Sequence, residues 1–342
     1  MNAKPLWPPR SHALKLLQKI QKHESPVELD ESPVELVYMS HERWPCPPLP
    51  IHPQRKLDTI RVSVLDSSFN PPTYAHLALA NSRPPRYTMR SGLTGLALES
   101  TVELDYDARL LLLSVRNADK ALKPGDATYE QRLEMMYLLS KDISASVSQL
   151  PEDTSESAHA NIAIAIIDEP TFVGKATVLR QFLRARISGL YRPSSALDRM
   201  MTPPTSGDIS TPGPRLTFLI GFDTLVRLLS PRYYASEAAM MDALRFFFSP
   251  VGDDCYVVCA RRNMEEVEQT VQAEVEARTL SAAKEFVESE RVALIGIGDD
   301  EQTSSSQVRT KVVLQDETWR RLVTSSVANY IIQNSLYTSA ST

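Results

Sequence analysis

Glycine is scarce in this sequence. Eleven glycines in 342 residues are about 3%, less than half the roughly 7% usual in soluble proteins. No G-x-G-x-x-G and no G-x-x-x-x-G-K-[ST] string occurs, so the glycine-rich phosphate loops of the dinucleotide and P-loop folds are excluded. Cysteine is scarce too: Cys46, Cys255 and Cys259 are too few for a disulfide framework. Cys255 and Cys259 lie in the apolar run CYVVCA and read as buried, reduced thiols. With no further Cys or His close by, they make no zinc site. No apolar run approaches the ~20 residues that span a bilayer, and MNAKPLWPPR lacks the apolar core of a signal peptide. Charge of one sign is missing as well: Lys+Arg 37 against Asp+Glu 42 gives −5, with no basic excess for a nucleic-acid partner. The expected setting is the cytoplasm, with the nucleus as an alternative, and neither membrane nor nucleic acid as partner.

Proline runs the other way. Its 24 residues are about 7%, against a usual roughly 5%, and ten of them fall in the first 53 residues. Residues 1–58 read as accessory. SHALKLLQKIQKH places Leu14, Leu17 and Ile20 at helical spacing behind a Ser11 cap. ESPVEL then occurs twice, at 24–29 and 31–36, a local duplication in a loop or short strands. WPCPPLPIHP, at 44–53, reads as an extended proline-rich linker.

Residues 59–342 alternate between apolar, β-branched runs and amphipathic stretches. Strands are expected at 60–66, 109–115, 161–167, 215–221, 254–260 and 291–297. Helices are expected from Thr73, at 129–143, 176–187 and 264–290, and over SSQVRTKVV and ETWRRLVTSSVANYIIQ. That order implies an α/β fold, a doubly wound and mostly parallel sheet with helices on both faces. Polar insertions near 82–105, 144–159 and 192–214 interrupt it, the last read as disordered. In such sheets ligands bind at the carboxyl ends of the strands.

Two helix starts at those ends carry chemistry. After the first strand comes DSSFNPPTYAH, 66–76, which gathers Ser67, Ser68, Asn70, Thr73 and His76 around a helix N-terminus. Free backbone N–H donors and a partial positive charge suit such an end to phosphate, although a lone histidine at a helix start is commonly structural. Near the C-terminus, SSSQVRTKV, 304–312, offers Ser305 and Ser306 as N-caps, with Arg309 one turn on as a charge-assisted clamp. Between them GFDTL, 221–225, provides Gly221 for close backbone approach and Asp223 for ribose hydroxyls or as a helix cap.

These strings resemble a known family. FNPPTYAH is similar to the FNPPH-x-GH signature of HxGH-superfamily nucleotidylyltransferases, particularly the nicotinamide mononucleotide adenylyltransferases. TSSSQVR resembles their late ISSTxVR motif, and LIGFDTL their GxDxL strand end. IIDEPTFVGKATVL resembles the segment after the third strand, and YEQRLEMM the R-x-x-M helix. The nearest group is the fungal cytidylyltransferase-like one, which shares DSSFNPPT-x-AH, NADK-x-LKPG and GFDTL.

The resemblance implies a Rossmann-like fold and adenylyl transfer from ATP to nicotinamide mononucleotide. By it, His76 binds the α-phosphate, Thr73 stands at the first histidine of the signature, and Ser305, Ser306 and Arg309 hold the β- and γ-phosphates. Gly221 and Asp223 line the adenosine pocket, with Ser68 and Phe69 beside the nucleotide. Asn70, Arg132, Glu169 and Phe172 fall to the pyridine nucleotide, and Lys120 or Lys123 to a phosphate, with a solvated lysine the competing reading. Magnesium is implied, carried mainly by the ATP phosphates, with no metal-ligating protein residues. Asp66-Ser67 and Ala75 replace glycines of the motif, so Asp66 must turn away from the phosphates or recruit magnesium. Two alternatives stay open: a CTP- or ATP-dependent enzyme with another phosphate acceptor, and a nucleotide-binding regulatory protein that keeps the fold.

Overall fold

A computed structural model of the chain describes residues 10–21, 33–47, 58–84, 105–116, 124–147, 161–191, 211–261, 269–298 and 303–338. Its centre is a seven-stranded sheet built from β1 (Val34–Met39), β2 (Thr59–Asp66), β3 (Ala108–Ser114), β4 (Ile162–Ile167), β5 (Gly213–Gly221), β6 (Tyr256–Arg261) and β7 (Val292–Gly296). The strand order is β1-β4-β3-β2-β5-β6-β7. β2 through β7 are parallel, and β1 adds an antiparallel edge. Without β1 this is the doubly wound order of dinucleotide-type sheets, which reverses direction between β2 and β5. The expected α/β architecture is the observed one.

The strands are buried on both faces, which is why they read as continuous apolar runs. Alternate residues feed two cores. Ala108, Leu110, Leu112, Ala163, Ala165 and Ile167 face one, packed against α4 (Phe172–Tyr191), α5 (Phe222–Leu228), α6 (Glu237–Phe248) and α8 (Lys284–Glu288). Leu111, Leu113, Ile162, Ile164 and Ile166 face the other, under α1 (Arg10–Gln21), α2 (Tyr74–Asn81) and α3 (Tyr129–Val147). A third cluster joins Met135 of α3 to α9 (Ser305–Val313), the 3-10 turn Glu317–Leu322 and α10 (Ser325–Gln333) through Val308, Trp319, Val327 and Ile331. It seats the C-terminal helices against α3.

The boundary read at residue 58 does not follow the sheet. β1 is hydrogen-bonded along β4, and Trp44 and Cys46, read as the start of a linker, are fully buried. The Trp44 indole donates to Arg109 O at 3.2 Å, and Asn161 donates to the carbonyls of Pro45 and Cys46. α1 begins at Arg10, so Ser11 lies inside it. Its buried residues are Ala13 and Leu17, while Leu14 is exposed; the side chain of Ile20 lies outside the described residues.

The helix expected over 264–290 is two, α7 (Gln269–Ala282) and α8, parted at Ala283. The three polar stretches fall largely outside the described residues, though α3 extends through Val147 and β5 starts at Gly213. All three cysteines are buried and free, and burial pushes the Cys259 thiol up to about 12. Among the described residues no helix is long and apolar enough to cross a membrane.

Candidate active site

The turn after β2 positions the candidate groups. Thr73 is the N-cap of α2 and His76 its third residue. The Thr73 backbone N–H donates to His76 Nδ1 at 3.0 Å, and the Thr73 hydroxyl lies 2.9 Å from the same nitrogen. A backbone amide can only donate, so Nδ1 accepts and the neutral ring carries its proton on Nε2. Nε2 lies 2.9 Å from Ser67 Oγ, making Ser67 the acceptor. Phe69, fully buried, supports the ring from 5.4 Å. Its φ of +46° is a left-handed conformation that a bulky side chain seldom adopts, and such conformations gather at functional turns.

Asn70 locks the turn to the C-terminal helices. Its Nδ2 donates to Asp126 Oδ1 at 2.7 Å, while its Oδ1 accepts from Ala127 N at 3.1 Å and from the Tyr337 hydroxyl at 2.9 Å. Its carbonyl accepts from Arg309 Nη1 at 2.5 Å. Arg309 also reaches Ser306 Oγ at 3.3 Å and lies 3.8 Å from Asp126. Ser305 Oγ donates to Pro71 O at 2.7 Å, and Thr73 Oγ1 is 3.3 Å from Thr303 O. The two helix starts therefore share one loop, although more than two hundred residues separate them.

Ser304, not Ser305 or Ser306, caps α9. Its hydroxyl accepts from Gln307 N and its own N–H donates to Gln307 Oε1, the reciprocal S-x-x-Q box. That leaves the next two hydroxyls for other work.

Asp66 does turn away. It pairs with Lys175 of α4 at 2.6 Å, both side chains about nine-tenths buried. The residues expected on the acceptor side have contacts of their own. Glu169 accepts from the Thr171 N–H at 2.8 Å and from its hydroxyl, so its carboxylate is engaged at the start of α4. Phe172 is half-buried and packs against the core with its ring 4.7 Å from Phe218 and 6.1 Å from Phe247. Arg132 is buried and donates to Ala127 O at 2.9 Å; desolvation lowers its pKa against the pull of Asp126. Phe69, Thr73 and the Asn70 amide likewise support the loop, since each is buried and engaged. Lys120 and Lys123 lie outside the described residues.

Across the crevice, Gly221 N-caps α5 with φ −81° and ψ 162°, open to any residue, and a Cβ there would meet nothing within 4 Å. Asp223 is exposed in the following turn. Exposed Ser68, half-buried His76, Arg309 and exposed Ser306 complete the accessible polar rim. Among the described residues, no group of three or more His, Cys, Asp or Glu side chains is set to hold a metal. Asp126, Lys175 and Tyr337 were not singled out in the sequence. Lys175 sits in FVGKATVL, within a string that carried the resemblance, and Asp126 directly follows another, NADK-x-LKPG.

No protein-family model matches the chain. A fission yeast (Schizosaccharomyces pombe) protein named "Putative nicotinamide mononucleotide adenylyltransferase" is 27% identical over 282 residues, covering 79% of this chain and 83% of its own. Among solved structures, the Plasmodium falciparum nicotinic acid mononucleotide adenylyltransferase complexed with APC aligns with TM-score 0.36 and 12% identity, over 81% of this chain and 96% of that one. The fold assignment rests on the strand order of this chain. With the motifs at their expected strand ends and a relative of that name over most of both lengths, the chain resembles the nucleotidylyltransferases, closest in its motifs to the nicotinamide mononucleotide adenylyltransferases.

Proposed function

We propose that this protein transfers the adenylyl group of ATP to nicotinamide mononucleotide, giving NAD and pyrophosphate. The observation that carries the reading is the oriented imidazole at the carboxyl end of β2, with Arg309 bonded to the same loop through Asn70 O. The motifs and the name of the yeast relative support it. In the reaction an oxygen of the mononucleotide phosphate forms a bond to the α-phosphorus, and the bond from that phosphorus to the pyrophosphate oxygen breaks. No protein nucleophile is needed, so the chain contributes position and charge stabilisation. His76 donates Nε2–H to an α-phosphate oxygen, which takes the place of Ser67 Oγ. Arg309 and Ser306 hold the β- and γ-phosphates, and Ser305 ties α9 to the loop. Gly221 and Asp223 border the adenosine, and Lys120 or Lys123 meets a phosphate. Magnesium would be carried by the triphosphate and would supply charge neutralisation there, since Asp66 and Asp126, the carboxylates flanking the turn, are both paired with cations. The proposed setting is the cytoplasm or nucleus.

One observation favours a second reading. Phe172, assigned to the pyridine nucleotide, rests half-buried on Phe218 and Phe247, a placement that also fits a different phosphate acceptor, or CTP as donor. A single assay separates the readings. Full-length protein with ATP, magnesium and nicotinamide mononucleotide should release NAD and pyrophosphate in equal amounts. His76→Ala should be slower by about 10²–10³, as for loss of one oxyanion donor. Pyrophosphate released only with CTP or another acceptor supports the second reading. ATP binding with no transfer to any acceptor leaves the regulatory alternative.

A further inference from the structure

The ion pair that removes Asp66 from the phosphates joins the two substrate sides of the site. Asp66 ends β2, whose residues Ile60, Val62 and Val64 feed the core under α4, and it continues on that face to meet Lys175 at 2.6 Å. The next residue, Ser67, reverses to the α2 face and meets His76 Nε2 at 2.9 Å. From Lys175 the contacts run the other way. Its N–H donates to Thr171 O at 3.0 Å. Thr171 holds Glu169 through its N–H and hydroxyl. At Gly174, between them, a Cβ would lie 2.5 Å from the Glu169 carboxyl and from Thr171 Oγ1. An unbroken chain of bonded and packed groups thus leads from Glu169 through Lys175 and Asp66 to His76. Both charges of the pair are about nine-tenths buried, where either alone would be costly to hold.

We propose that Asp66 and Lys175 are a positioning pair. The pair touches no reacting atom, and fixes the imidazole donor relative to the acceptor-side start of α4. The inference rests on the adenylyl-transfer reading for its rate readout, and its second readout is independent of turnover. The test uses full-length protein in three forms: wild type, Lys175→Arg, and the doubly neutral Asp66→Asn/Lys175→Met, which leaves no unpaired buried charge. Ring-nitrogen NMR of histidine-labelled protein, with His76 assigned by its loss in His76→Gln, reports the imidazole without substrate. Steady-state kinetics with ATP, magnesium and nicotinamide mononucleotide report kcat and each KM.

The expected result is a folded neutral double variant with the wild-type melting temperature, displaced His76 ring signals and kcat lower by about 10–100-fold at little-changed KM, the scale of a small misplacement of reacting groups. Lys175→Arg, which keeps the charge, should stay near wild type in both readouts. A neutral double variant with wild-type His76 signals overturns the proposal, as does one that fails to fold, or a Lys175→Arg variant as impaired as the double. If wild type makes no dinucleotide, the adenylyl-transfer reading fails by itself, and the His76 signals still decide the pair.

Discussion

Two glycines beside the site answer to different causes. At Gly174 an added methyl would lie 2.5 Å from Glu169 Cδ and Oε1 and from Thr171 Oγ1. These are side-chain ends, so α4 can keep its course while Glu169 swings out and gives up its two bonds to Thr171. Gly174→Ala should therefore cost about 1–2 kcal/mol, the scale of such bonds, seen as a melting temperature lower by a few degrees. At Gly221 the backbone angles suit any residue and a methyl meets nothing within 4 Å. Only a ligand would feel it. Gly221→Ala should melt with wild type and raise KM for ATP severalfold; an unchanged KM would remove Gly221 from the adenosine pocket. Of the site as a whole, His76, Ser305 and Arg309 are legible in the sequence because each sits in the first turns of a helix at a strand end. Asp126, Lys175 and Tyr337 are not, because their meaning lies in contacts made 56, 109 and 267 residues away. Local pattern carries no information about those pairings. The same limit hides that Thr73 and Phe69 also hold and support the imidazole.

Among the elements, β1 and the turn after it were the least legible. A strand with one buried face alternates with period two, but a register shift between Leu36 and Tyr38 breaks β1, and its burial does not alternate. The parallel strands, buried on both faces, needed no alternation to be seen. α6 shows Met240, Leu244, Phe247 and Phe248 buried at helical spacing behind a Ser236 cap, so its signal was present in the sequence and unused. The turn after β1 also carries a pH dependence. Burial, and then Arg43 and Arg186, push the His41 imidazole below its ordinary 6.5, against an opposing influence of the nearby Asn161. The unfolded chain then binds the extra proton first on acidification, so stability from neutral His41 is full above pH 6.5 and lost as pH falls through the lower folded value. Thermal melts between pH 7.5 and 5 should show a falling transition in wild type and a shallower fall in His41→Asn. Equal slopes would mean that His41 titrates alike in both states.

At the scale of the molecule, alternation of strands and helices implied the doubly wound sheet, and the sheet implied that phosphates belong at carboxyl strand ends. The candidate site lies there, between β2 and β5, where the order reverses. What alternation could not convey is that the first 58 residues contribute an edge to the same sheet. All six residues of β4 are buried, and β1 is what covers their outer edge. The segment after β1 is fastened separately: Arg186 of α4 donates to Trp44 O at 2.6 Å and to Glu42 O at 2.8 Å, and Trp44 has no exposed surface. A chain beginning at residue 58 would lose a fully buried tryptophan and leave an apolar strand edge unpaired, the arrangement that templates aggregation. Loss of a buried tryptophan alone costs about 3–5 kcal/mol, equivalent to a melting temperature lower by on the order of 10 °C. Size-exclusion chromatography and thermal melts of residues 58–342 beside the full chain check this. The shortened chain should elute partly as aggregate and melt well below the full one. A monodisperse product with the same melting temperature would show that β1 and Trp44 are dispensable, and that residues 59–342 fold alone as the composition first suggested.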